Sequence, residues 1–79
     1  MSITFESGSE KETYFDLDLA WHELALRTDR LTLTRVTGRA FGGMREMSFM
    51  LETRLGQRYT IKAVGASCVD LVCDLLDAR

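Results

Sequence analysis

Residues Phe15 to Arg27 read FDLDLAWHELALR and hold the chain's only tryptophan, its only histidine and three carboxylates, Asp16, Asp18 and Glu23. Carboxylates beside an imidazole are the raw material of a metal site, and His22 could serve as a general base. Spacing argues against both. In an extended chain Asp16, Asp18 and His22 share a face, but alternate residues sit roughly 6–7 Å apart and His22 lies two steps beyond Asp18. On a helix Asp18 and His22 fall one turn apart, which makes two ligands at most. No second histidine exists to complete a set. The expectation is a solvated face with an ordinary histidine, and neither metal nor cofactor. Trp21 is expected in the core rather than as an interface anchor.

The remaining chemistry-bearing residues are no stronger. Cys68 and Cys73 are five apart. On a helix that spacing points them in different directions, so they should not bridge. The acids around them raise a thiol's pKa and blunt its reactivity. Ser67, with Asp70 three residues on, reads as a capping box. GRAFGGM, Gly38 to Met44, resembles a phosphate-binding loop only in its glycines. It lacks the Gly-Lys-Ser/Thr ending, and it reads as a flexible connection. No Ser–His–Asp or Cys–His set can be assembled. Most enzyme classes are thereby disfavoured, and the expectation is a non-enzymatic protein.

Charge is more informative. The chain is net −2 with a sequence pI near 5.3. Residues 1–26 carry one lysine against six acids, whereas residues 27–62 carry eight Lys and Arg against three. Asp16 and Asp18 mark the acidic pole. Arg35, Arg39, Arg45, Arg54 and Arg58 mark the basic one, and arginine favours bidentate contacts to carboxylate or phosphate. Two poles can steer a charged partner. A nucleic-acid binder built on these arginines is the alternative, although a dedicated one is usually basic overall.

The elements that must position these residues follow from periodicity. ITFES alternates Ile3 and Phe5 against Thr4 and Glu6, a short strand. SGSEKE, Ser7 to Glu12, reads as a mobile loop. Phe15, Leu17, Leu19 and Trp21 alternate with Asp16, Asp18, Ala20 and His22, which favours a strand over 15–28. A helix is the rival. No β-branched residue interrupts Tyr14 to Arg27, and Thr13 with Asp16 could cap it. A helical wheel, however, gives two apolar stripes: Leu17, Trp21 and Leu24, then Phe15, Leu19, His22 and Leu26. A surface helix needs one. Parity then predicts a hairpin through Thr28–Asp29–Arg30 into LTLTRV, a strand. LRTDRLTLTR resembles a strand pair of bacterial pleckstrin-homology-like domains, which also end in a helix; the resemblance spans about ten residues.

Further on, MSFMLETRL and YTIKAV alternate as paired strands. An odd loop at Gly56–Gln57–Arg58 would set Leu55 against Tyr59, Thr53 against Ile61 and Glu52 against Lys62. After Gly65 the period becomes helical. Val69, Val72, Cys73 and Leu76 form one face, Cys68 and Leu75 flank it, and Asp70, Asp74 and Asp77 lie opposite. The whole, residues 1–79, reads as one α+β domain: an antiparallel sheet of four to six strands under a C-terminal amphipathic helix. In the helical variant the order is β-α-β-β-β-α.

So small a core is only marginally stabilising, and a homodimer or a larger protein partner would add to it. The start shows no basic segment leading into an apolar run, no run is long enough to span a bilayer, and free thiols suit a reducing cytoplasm. The expected function is a small cytoplasmic protein-binding module, an adaptor or inhibitor. A phage-borne inhibitor of a host defence complex, of the anti-CRISPR kind, fits the size and the charge poles.

Overall fold

In the computed structural model, which describes residues 1–78, the elements run β1 (Ser2–Ser7), β2 (Glu10–Tyr14), α1 (Leu17–Arg27), β3 (Thr32–Phe41), β4 (Met44–Glu52), β5 (Arg58–Val64) and α2 (Ala66–Asp77). The five strands form one sheet in the order β2-β1-β5-β4-β3, antiparallel throughout. The α+β class and the C-terminal helix are as expected. Ile3, Phe5, Phe49, Leu51, Ile61 and Ala63 point to one face and pack with Ala20 and Leu24 of α1 and Cys68, Val69, Val72 and Leu75 of α2. Both helices cover that face. The other is open to solvent.

Residues 17–27 are helical, which corrects the strand reading. The Asp16 carboxylate accepts the Leu19 N–H at 3.1 Å, capping a segment free of β-branched residues. Asp16 is thus the cap itself rather than the partner of Thr13. At the far end Thr28 donates both its N–H and its hydroxyl to the Leu24 carbonyl, at 2.9 and 2.7 Å. The predicted hairpin through Thr28–Arg30 is instead this helix terminus, and only the second half of LRTDRLTLTR is strand. The alternation misled because the buried stripe, Leu17, Ala20 and Leu24, is narrow. Leu19, which belongs to the alternating pattern, faces water, as does Leu26.

The N-terminal loop is shorter than expected. Only Gly8 and Ser9 turn, and Glu10–Tyr14 is a strand whose Tyr14 is buried opposite Ile3. GRAFGGM is mostly strand too. Its turn is Gly42–Gly43, with φ of 53° and 79°. Two consecutive residues in that region match the twist of a two-residue hairpin, and glycine adopts it without a Cβ penalty. In β4 and β5 the predicted faces hold, but the register differs. Leu51 opposes Tyr59, Phe49 opposes Ile61, Glu52 opposes Arg58 and Ser48 opposes Lys62. The loop is longer, because Thr53 closes it by accepting the Gln57 N–H on its hydroxyl and donating its own N–H to the Gln57 carbonyl. Leu55 is left exposed there.

Helix α2 begins at Ala66 after Gly65, without a side-chain cap, so Ser67 and Asp70 form no capping box. Gly65 has φ 101°, and a Cβ on it would lie 2.7 Å from Met1 Cγ. The described residues contain no helix long and apolar enough to cross a membrane.

The helix makes a direct prediction. Leu24 and Leu26 would share a face in a strand, but here one is buried and the other exposed. Leu24→Ala should cost about 3 kcal/mol, and Leu26→Ala under about 0.5 kcal/mol, in urea unfolding. Equal costs would contradict the helix.

Candidate functional site

The stretch that opened the question has two apolar sides. Leu17, Ala20 and Leu24 enter the core. On the outside, Phe15 and Leu26 are each 78% exposed and Leu19 51%. Leu19, His22 and Leu26 follow one helical ridge at i, i+3 and i+7, and Phe15 precedes the Asp16 cap at its start. Trp21, at the margin of the Leu17–Leu24 stripe, is 38% exposed, a correction to its expected place in the core. The outer stripe is visible in the sequence, where it argues against a helix because two stripes exceed what a small sheet can bury.

The carboxylates on this face differ in role. Asp16 is committed to the cap, while Asp18 lies in the first turn, exposed and without an ion pair among the described residues. Glu23 lies 3.9 Å from Arg27, whose guanidinium also reaches Glu12 at 2.5 Å and stacks over Phe5. Asp18 and His22 sit one turn apart, and among the described residues no group of three or more His, Cys, Asp or Glu could hold a metal ion. Burial raises the pKa of both cysteines, and at Cys73 the nearby Asp77 and Asp70 raise it further. The two are free thiols, Cys68 buried and Cys73 half-buried.

The structure does not gather the predicted arginines into one patch. Pairing with β4 puts Arg35 and Arg39 on the open face of β3, and Arg58 joins them there from β5. Arg45 is on the helix side, 3.8 Å from Asp70. Arg54 sits in the β4–β5 loop. On the open face Glu46 accepts from Lys62 at 2.9 Å and from Arg39 at 3.3 Å, and it is only 8% exposed beneath them. Arg58 contacts Glu52 at 3.2 Å. Arg35 alone among the strand cations makes no ion pair with a described residue. The poles predicted along the chain therefore become two faces: acids Asp18, Glu23, Asp70, Asp74 and Asp77 on the helices, and a cation-rich but largely neutralised sheet surface opposite.

No protein family, curated protein or solved structure matches this chain.

Two measurements test this assignment. Asp16→Ala should cost about 1 kcal/mol through the lost cap, while Asp18→Ala should stay within about 0.5 kcal/mol. The hydrogen bond from Lys62, aided by Arg39, holds the Glu46 carboxyl below its ordinary pKa against the opposing effect of burial. A folded-state pKa below the unfolded one stabilises above the unfolded value, and the gain disappears as pH falls through the folded value. Glu46→Gln should therefore be less stable than the parent at neutral pH, with the gap closing on acidification. A gap that persists at low pH would refute the clamp.

Proposed function

We propose that this protein is a non-enzymatic protein-binding module, an adaptor or inhibitor that docks on a larger protein through the outer face of α1. The observation that carries the reading is the exposed ridge of Phe15, Leu19 and Leu26. Apolar area removed from water is worth roughly 25 cal/mol per Å², and among the described residues nothing covers this stripe. Within α1, Leu19, His22 and Leu26 fall at i, i+3 and i+7, the spacing of a helix that lies in a groove, and Phe15 stands just before the Asp16 cap. Asp18 and Glu23 give the ridge an acidic border, which favours a groove with a basic rim.

The nucleic-acid reading has less support. Phosphate binding through the open face would compete with Glu46 for Arg39 and Lys62 and with Glu52 for Arg58. That leaves Arg35 as the unpaired strand cation.

Affinity capture from host lysate, with nuclease added, tests the proposal. Leu19→Ser with Leu26→Ser should leave unfolding free energy within about 1 kcal/mol, since both sites are exposed, yet reduce capture at least tenfold. Undiminished capture would overturn the α1 assignment. Recovery lost on nuclease treatment would transfer the reading to nucleic acid. A concentration-dependent dimer abolished by the same pair of substitutions would make the occupant a second copy.

A further inference from the structure

The two edges of the sheet differ. Strand β2 is short and charged, and its Lys11 and Glu12 are tied to Glu6 and Arg27. Charged, short edges resist pairing with another chain. Strand β3 has ten residues, all exposed, with no proline, no lysine and no acid. Leu33 and Val36, on its helix side, are 39% and 43% exposed because neither helix reaches over them.

Which backbone groups are free can be worked out. The two-residue turn makes Phe41–Met44 a hydrogen-bonded pair, and such pairs alternate along an antiparallel ladder. Arg39, Thr37 and Arg35 then bond to β4, while Val36, Gly38 and Ala40 turn their N–H and C=O outward. Two observations agree. The Arg45 carbonyl accepts from Gly65, away from β3, and the Met50 carbonyl accepts from the Thr34 hydroxyl, toward β3. A bulge between Leu33 and Arg35 confines the regular edge to Arg35–Phe41.

We infer that this edge accepts an extended acidic segment of a partner protein as a sixth strand. Directly opposed residues share a face. The segment's positions opposite Arg35 and Arg39 therefore lie on the open face, four residues apart; a carboxylate opposite Arg35 meets an unpaired guanidinium, and one opposite Arg39 shares a guanidinium that already contacts Glu46. Its intervening alternate residues fall on the helix side, over Val36 and beside Gly38 and Ala40, where apolar side chains fit. The pattern is acid, apolar, any, apolar, acid. A second copy of β3 fits poorly. Paired about Thr37 it would set Arg35 against Arg39 twice, and paired about Gly38 it would still crowd four arginines on one face. This surface is separate from the α1 ridge and does not depend on it.

The test uses two peptides in which valine and threonine separate the charges: one with two glutamates four residues apart, and a twin with lysines in their place. Amide exchange by NMR should slow at Val36, Gly38 and Ala40 with the glutamate peptide. The lysine peptide should bind at least about fivefold more weakly, and Arg35→Glu should reverse that preference. Val36→Pro, which removes an outward donor that β4 does not use, should abolish binding. The Leu19→Ser, Leu26→Ser variant should bind the glutamate peptide unchanged, so failure here and failure at α1 are read separately. Equal affinity for the two peptides would overturn the inference, as would protection at other amides. So would slow exchange at those three amides without peptide that grows with protein concentration, which would signal self-pairing.

Discussion

The arrangement depends on one connection. Strands β2 and β3 are consecutive in the chain apart from α1, yet they form opposite edges of the sheet. A five-stranded sheet is about 19 Å across between its outer strands, and an eleven-residue helix is about 16 Å long. Helix α1 alone falls about 3 Å short of that span, and the flanking residues 15–16 and 28–31 supply the rest of a crossing that runs over the core face. Its ends are set by two polar contacts, the Asp16 cap and the Thr28 hydroxyl on the Leu24 carbonyl. The burial of Ala20 and Leu24 follows from that placement.

Two short helices cannot cover five strands. Their apolar contacts concentrate on β1, β4 and β5, where Ile3, Phe49, Leu51, Ile61 and Ala63 are buried. Strand β3 touches only β4 within the sheet and is left outside the cover. Helix α1 carries more apolar residues than one buried face can use. Both surfaces proposed for binding, the ridge of α1 and the edge of β3, arise from that mismatch between apolar supply and available cover. Neither requires a pocket or a metal.

Electrostatics divides along the same layers. The helices hold most of the unpaired acids, and the open sheet face holds cations that are mostly satisfied. Glu46 illustrates the economy of that face, since one nearly buried carboxylate takes both Lys62 and Arg39. Arg35 is the exception, and its freedom gives the β3 edge a sign. An acidic helix surface and a cationic sheet edge would attract different partner chemistries.

Much of this was legible in the residues alone. Local periodicity determined β1, the start of β3, the faces of β4 and β5, and α2, because in each a single apolar face repeats at a period of 2 or 3.6. The second apolar stripe of α1 was also visible there. The sequence did not decide between strand and helix over 15–28, since FDLDLAW satisfies both periods, and only burial against α2 and the sheet selects among them. Nor could it place the arginines. Arg35, Arg39 and Arg58 share a face while Arg45 does not, because face membership depends on the β3 bulge and the register of each ladder. Strand order made β3 an edge, and that is a property of long-range pairing which no local pattern records.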